Sequence, residues 1–371
     1  MKNTITPGVP WLDTKGERIQ AHGACVYYEN GVYYWIGEDK SHTRKKGKLW
    51  TWGIKLYSST DLCNWTDEGH IIEPQPNDKK SVFHPNRRLD RPHILKNKKT
   101  GKYVLWLKYC DKCHATVLTA DALRGPYTLI HEELHPYGTK FGDFDLAKDE
   151  ESGQGYLFFE ADHDKVIGCK LTEDYCNVEG EPTYIYKDMK PPFTREGITH
   201  FQRNGKHYIL SSGMTGYVPN PSESAVSDDF LGPYTVQGNP HVNDNSSASF
   251  NSQISGVFRI DGTDRFVAIA DRWVPEYVMT KERYEILLRA ISQHSDRSVK
   301  VSFKDMLTLL TSPMMGSADT SIANYVWLPI EWDGDMPQIR WRDSWDPMKP
   351  STVYRSPDGE VSLHIYPNIQ K

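Results

Sequence analysis

One shape recurs along this chain and fixes most of what it can fold into. In "GACVYYENGVYYWIGED" two aromatic-rich runs flank Glu29-Asn30-Gly31, and Asn-Gly between alternating runs is the strongest short-range signal for a β-hairpin. The same shape returns around Thr100-Gly101 in "PHILKNKKTGKYVLWLK", Ser152-Gly153 in "LAKDEESGQGYLFFEAD", Asn204-Gly205 in "THFQRNGKHYILSSG", and Asp261-Gly262 in "SGVFRIDGTDRFVAIADRW". A further strand and a polar turn follow each hairpin. Arg124-Gly125-Pro126-Tyr127-Thr128 and Leu231-Gly232-Pro233-Tyr234-Thr235 are nearly one turn used twice. A period of about fifty residues, repeated five times, is the mark of a β-propeller with four strands per blade. The expected fold is therefore all-β, a five-bladed propeller of four-stranded antiparallel blades around a central channel, with residues 1–371 as one catalytic domain. "YEILLRAIS" and "VSFKDML" are the segments available to complete the fifth blade as strands, although "KERYEILLRAI" also carries helical spacing.

In a propeller the first strand of each blade lines the channel, so the residues just before each hairpin converge on one funnel. Those residues are Gln20-Ala21-His22-Gly23, Asp90-Arg91-Pro92, Gly142-Asp143-Phe144-Asp145, Arg195-Glu196-Gly197 and Ser252-Gln253-Ile254. Asp90, Asp143 and Glu196 thus stand at equivalent places in three successive blades. Carboxylates crowded into one funnel repel each other, so at least one is expected to hold a proton near neutral pH. A protonated carboxylic acid beside ionised ones is what cleavage of a glycosidic bond requires. The bland alternative is that each carboxylate caps a turn or pairs with Arg91 or Arg195, since structural ion pairs also perturb titration.

Composition narrows the partners. Eleven Trp and 21 Tyr suit strands and also stack on sugar rings. A net charge of -5 argues against a nucleic-acid platform, which is normally basic. No apolar run reaches the 18 residues of a membrane span, and Met1 to Pro10 lacks the charged start and apolar core of a secretion signal. Six cysteines, Cys25, Cys63, Cys110, Cys113, Cys169 and Cys176, are then expected as free thiols in the cytoplasm; a leader lost ahead of Met1 would make the protein secreted or periplasmic. Cys110-Asp111-Lys112-Cys113-His114 copies the C-x-x-C-H of haem attachment, but two strands around a tight turn are no haem pocket. A zinc site wants a second ligand pair at the usual spacing, and the sequence has none nearby.

The order of these strings resembles glycoside hydrolase family 43, and within it the exo-β-1,3-galactanase-like branch. The strings are "QAHGACVYYENGVYYWIGED", "DRPHILKNKKTGKYVLWLK", "GDFDLAKDEESGQGYLFF", "REGITHFQRNGKHYILSSGMTGYVPN", "FNSQISGVF" and "DRW…YVWLPIEWDGDMPQIRW", from residue 19 to about residue 345. The resemblance implies an inverting, exo-acting hydrolase of terminal β-galactosyl linkages in a plant-type polysaccharide or its oligosaccharides. It implies Glu196 as general acid, Asp143 as the residue that tunes its pKa, Asp90 as a second acidic residue and Gln253 as the residue that positions water, with a relay through Asp90 or His22. His22 occupies the place of the family's usual first-blade Asp base, as in the galactanase-like branch. Substrate contacts are expected from Gln20, His22, Glu38, Arg91, Tyr217, Arg272, Trp273 and Trp327, with Trp35 and Trp106 as further stacking candidates. No cofactor is required, and the channel leaves room for a structural calcium, although no dedicated ligand loop is present. Departures sit in the pocket: Asp90 is one methylene shorter than the branch's Glu, "EGITHF" replaces an "EAPAMF"-like string, and Gly23-Ala24-Cys25 replaces a run of glycines. Two rival readings follow, the same chemistry on a galactofuranoside, arabinofuranoside or xyloside, and a sugar-binding propeller without catalysis.

Overall fold

The computed structural model describes residues 2–43, 51–310 and 318–349. Five antiparallel blades follow one another in chain order. Blade one is β1 (His22–Glu29), β2 (Val32–Glu38), β3 (Ile54–Ser59) and β4 (Thr66–Ile72). Blade two is β5 (Leu89–Lys96), β6 (Tyr103–Tyr109), β7 (His114–Ala120) and β8 (Thr128–Leu134). Blade three is β9 (Phe141–Lys148), β10 (Gly155–Ala161), β11 (Lys165–Leu171) and β12 (Val178–Tyr186). Blade four is β13 (Arg195–Arg203), β14 (Lys206–Gly213), β15 (Ser222–Ser227) and β16 (Thr235–Gly238).

The expected hairpins form where the turn residues put them. Glu29 pairs with Val32 and Arg203 with Lys206, and the Asn-Gly pairs between them take the positive φ of a two-residue hairpin turn, 51° and 83° at Asn30-Gly31 and 52° and 75° at Asn204-Gly205. β1, β5, β9, β13 and the first long strand of blade five pack side by side around the axis, β1 closing the ring against the fifth blade.

Blade five departs from the expectation. After β17 (His241–Val242), β18 (Gln253–Arg259) and β19 (Phe266–Arg272), the chain leaves the sheet for helix α1 (Lys281–Ser295), capped by the Thr280 hydroxyl, and helix α2 (Phe303–Leu310). "YEILLRAIS" and "VSFKDML" are therefore helical. The helical spacing of the first segment prevails because the sheet takes its next strand from β20 (Asn324–Asp333), followed by β21 (Met336–Arg340). β17 adds a parallel edge to β21, so this blade has five strands.

Tryptophans hold blade one to blade five. Trp11, Trp35, Trp65 and Trp327 pack in one cluster, with ring centroids 4.6 Å apart for Trp35–Trp327 and 5.3 Å for Trp35–Trp65. Trp106 is enclosed between blades two and three with Phe141. Exposures of 0% for Trp35 and Trp106 and 1% for Trp327 rule these three out as stacking platforms. Their rings are spent on blade packing, where loss of one costs about 3–5 kcal/mol.

Candidate active site

A shared irregularity aims the functional side chains. Pairing slips between His22 and Cys25 on β1, Asp90 and His93 on β5, Glu196 and Thr199 on β13, and Ile254 and Gly256 on β18. A bulge of this kind bends the strand and re-aims its side chains. It leaves Gly23, Arg91 and Gly197 with left-handed backbone, φ 55°, 55° and 59°. At Gly197 no other residue fits, because a Cβ would lie 2.8 Å from Ile254 O and 2.9 Å from Ser212 Oγ.

The first-strand residues face a second ring, from the ends of the adjacent antiparallel strands. His22 pairs with Glu38, Asp90 with Lys108, Glu196 with Ser212 and Gln253 with Asp271. Asp143 is held on both oxygens: Lys108 Nζ lies 2.8 Å from Oδ1, while Arg91 Nη2 at 2.8 Å and the Gly197 amide at 3.0 Å reach Oδ2. Burial would raise its pKa, but Arg91 and Lys108 hold it well below the usual carboxylate range. Lys40, only 1% exposed, bridges Glu38 Oε2 at 2.6 Å and Asp90 Oδ1 at 2.8 Å. Asp90 also accepts from Thr51 and from Cys110 Sγ at 3.0 Å; burial opposes its ionisation, and Lys40 more than offsets that. Burial and the charge of Asp90 push Glu38 up to about 8, against the pull of Lys40 and of the Arg91 amide, which donates to Glu38 Oε1 at 2.8 Å.

Glu196 differs from these neighbours. It is partly open to the funnel where Glu38, Asp90 and Asp143 are buried, and no described Lys or Arg forms an ion pair with it. Burial first and the charge of Asp143 second push it up to about 8. Glu38, Asp90, Asp143 and Glu196 face three cations, Lys40, Arg91 and Lys108. Glu196 is the carboxyl of these four with no described cation in contact, and both it and Glu38 are pushed toward the protonated form at neutral pH. The neighbouring Arg195 takes no part, its guanidinium being bound to Ser211.

Gln253 fixes where that proton sits. Its Oε1 accepts from Arg91 Nη2 at 3.1 Å and from Trp273 Nε1 at 2.9 Å. Both are obligate donors, so the amide is oriented without ambiguity. Its Nε2 then donates to Glu196 Oε1 at 3.0 Å and to Ser212 Oγ at 3.2 Å. With Oε1 accepting, the acid proton belongs on Oε2.

Other expected residues fall on both sides of the line. Tyr217 and Trp273 stand edge to face at 5.5 Å and, with Asn251, Ser252, Asp271 and Gln253, the partner of Glu196, line a small hollow. His22 is fully buried: Nδ1 meets Asp271 Oδ1 at 2.9 Å and the ring stacks on Tyr325 at 4.8 Å. It ties blade one to blade five and reaches neither substrate space nor Gln253. Gln253 makes direct contacts to Glu196 and Arg91. Gln20 is turned to the Ser321 carbonyl at 3.0 Å. Arg272 is committed to the Phe250 carbonyl at 2.8 Å and the face of Trp341, against Gly8. Lys40, Lys108, Ser212 and Asp271 went unread in the sequence, since a search confined to residues before each hairpin sees only the first ring. Among the described residues no group of three or more His, Cys, Asp or Glu is placed to hold a metal ion.

A sequence profile of glycosyl hydrolases family 43 matches residues 17–258. The chain is similar to an arabinoxylan arabinofuranohydrolase of Paenibacillus polymyxa, 26% identical over 271 residues, which cover 62% of this chain and 40% of that protein. The fold is similar to that of a family-43 β-1,3-galactosidase, with a TM-score of 0.74 and 28% identity over 94% of this chain and 64% of the other. It is also similar to an exo-β-1,3-galactanase of Phanerochaete chrysosporium in complex with β-1,3-galactotriose, with a TM-score of 0.73 and 22% identity over 93% of this chain and 68% of the other. The chain thus spans less than two thirds of the first two of these relatives.

Proposed function

The chain belongs to glycoside hydrolase family 43, and we propose that it is an inverting, exo-acting hydrolase of terminal β-galactosyl linkages, of β-1,3-galactan type, in polysaccharide or oligosaccharide. The observation that carries this reading is Glu196, a carboxyl open to the funnel, held protonated by burial and by Asp143. Such an acid protonates the leaving oxygen as the bond to the anomeric carbon breaks, while water adds from the opposite face. Asp143 keeps the proton in place before the reaction. The Gln253 amide, 3.0 Å from Glu196 Oε1, orients the acid and stabilises the carboxylate left behind. Tyr217, partly exposed and backed edge to face by the buried Trp273, offers an aromatic face for the sugar. Support for the galactosyl specificity comes from the likeness to the β-1,3-galactosidase at 28% identity.

A second reading, the same chemistry on an arabinofuranoside, is favoured by one feature. Asp90 is saturated by Lys40, Thr51 and Cys110, so it has little left to offer a galactosyl hydroxyl. A panel of nitrophenyl glycosides separates the two, and NMR of the first sugar released reads the stereochemistry. β-Galactoside turnover with α-galactose appearing first is expected. Release of the β-anomer would refute inversion, and turnover of the arabinofuranoside alone would move the specificity to the second reading. Binding of galacto-oligosaccharides with no turnover would refute both.

A further inference from the structure

Two connections beside the funnel are longer than the fold needs. In blade three the second strand turns straight into the third, Ala161 pairing with Lys165. In blade four the same connection opens into a loop between Ser212 and Ser222 that carries Tyr217, and in blade five it holds the helices α1 and α2, between Arg272 and Asn324. Both leave from the strand ends that pair with Glu196 and Gln253, so both stand over the site. They also pack on each other. Val218, the residue after Tyr217, is buried and shares one apolar cluster with Ala248, Met279 and Leu287 of α1, and Leu309 of α2 packs against that cluster.

Two buried amides tie the loop and the insert down. Asn220 closes the base of the loop: its Oδ1 accepts from the Gly213 amide at 2.6 Å, and its Nδ2 donates to the Gly213 carbonyl at 2.7 Å and to Thr215 Oγ1 at 2.6 Å. The Thr215 hydroxyl in turn donates to the Val218 carbonyl at 2.6 Å. Asn251 does the same for the insert, donating from Nδ2 to the Tyr277 carbonyl at 2.7 Å and accepting on Oδ1 from the Met279 amide at 2.9 Å. Its backbone is left-handed, φ 62°, which Asn tolerates better than most residues. The Ser249 hydroxyl donates to the Asn220 carbonyl at 2.8 Å, and the Ser252 hydroxyl to the Ser249 carbonyl at 2.6 Å. Loop, insert and the start of β18 therefore meet in Ser249 to Ser252, immediately before Gln253.

We propose that the helical insert positions the sugar-facing ring of Tyr217: through Leu287, Val218 and Asn251 it holds the loop in place, and so sets affinity for the sugar rather than the rate of the chemistry. The identity of the sugar rests on the galactoside reading above; the contacts do not. An aromatic ring on a loose loop binds poorly, because ordering the loop costs affinity at each binding event. Gly216, exposed and with φ 62°, gives the loop tip no stiffness of its own. Rigidity comes from the two sides of Tyr217, from Thr215 and Asn220 below it and from Met279 and Leu287 against Val218. Asn251 and Leu287 are thus positioning residues, acting on the sugar through Tyr217.

The test is hydrogen exchange of the full chain, read by mass spectrometry, beside steady-state kinetics. Leu287→Ala and Asn251→Gly, the second of which keeps the left-handed backbone, should each speed exchange of the amides of residues 214–218 by at least about tenfold. The amides of β13, which carries Glu196, should exchange at the parent rate. On a nitrophenyl galactoside, Leu287→Ala should raise KM by about tenfold with kcat within about twofold of the parent, the pattern for binding lost equally from ground and transition states. The alkaline limb of its pH profile should not move. Tyr217→Ala should raise KM alike, and adding Leu287→Ala to it should cost no more, since the insert acts through that ring. Leu287→Val, the milder change, replaces any variant that thermal melts show to be unfolded. Folded Leu287→Ala and Asn251→Gly chains whose loop amides exchange at the parent rate would overturn the proposal, as would KM effects that add in the double variant. Exchange needs no sugar, so it decides the positioning role even if the chain turns over another glycoside or none.

Discussion

Replacing Asp143 by Asn tests the tuning of the acid directly. The carboxylate of Asp143 lies 3.0 Å from the amide of Gly197, the residue after Glu196. Two unit charges about 6 Å apart, at an effective dielectric constant of about 20, interact by about 3 kcal/mol, or about two pKa units. The Asp143→Asn substitution removes that repulsion and leaves Arg91 and Lys108 without their counter-charge, and both changes favour ionised Glu196. Its value should fall from about 8 to about 6 or lower, so the protonated fraction at pH 7 drops from about nine tenths to about one tenth. The assay is kcat/KM against pH for a β-galactoside with a poor leaving group, beside a nitrophenyl galactoside that needs little protonation. The alkaline limb should move down by about two pH units in the first profile, with about tenfold lost at pH 7 and less at pH 5. A limb that stays near 8 in a variant that melts like the parent would refute the tuning role of Asp143. A variant that merely unfolds is recognised by its melt, since stranding a buried cation costs about 3–5 kcal/mol.

Glu196→Gln should abolish hydrolysis of glycosides with poor leaving groups while raising the melting temperature, and the gain should be larger at pH 8 than at pH 5. The sign follows from the raised pKa: the native state keeps a proton that the unfolded chain releases near 4.5, so stability falls as pH rises from there through about 8. A pH-independent difference in melting would contradict it. Gln253→Ala should cost about a hundred- to a thousandfold in kcat, the scale for losing a donor to developing charge, and unchanged activity would remove Gln253 from the mechanism. Gln253→Glu should move the alkaline limb above 8, since two carboxyls in contact share a proton.

The blade period, the five hairpins around their turn residues, and the convergence of Asp90, Asp143, Glu196 and Gln253 were legible because propeller geometry repeats with the sequence. The rest was hidden for identifiable reasons. Periodicity cannot tell an amphipathic strand from a helix in "KERYEILLRAI", and only the later strand Asn324–Asp333, which pairs with Phe266–Arg272, settles it. Composition likewise does not distinguish Trp35, Trp106 and Trp327, which fill the spaces between blades, from Trp273, whose indole nitrogen meets Gln253. Lys40 and Lys108 belong to the ends of second strands, or just beyond them, and only antiparallel pairing brings them back to the funnel. That rule can be applied to a sequence: the last residues of the second strand of each hairpin belong to the same site as the first residues of the first.

The second ring also changes what the fifth-blade amide does. Read from sequence, Gln253 stands in for a missing base and holds a water. In place, both ends of its amide are occupied, by Arg91 and Trp273 on the oxygen and by Glu196 and Ser212 on the nitrogen. A carboxylate there would compete with Glu196 for its proton. An amide cannot. It passes the charge of Arg91 to the acid as a hydrogen bond, and by occupying Oε1 it leaves Oε2 for the proton. His22 acts on the carboxylate of Asp271, which pairs with Gln253 across the hairpin. It holds Asp271 at 2.9 Å, while the Gly23 amide takes the other oxygen at 2.9 Å, so both oxygens of that carboxylate are occupied. Gln253 and His22 thus act in the same direction, leaving Glu196 as the carboxyl of this group that no described cation contacts.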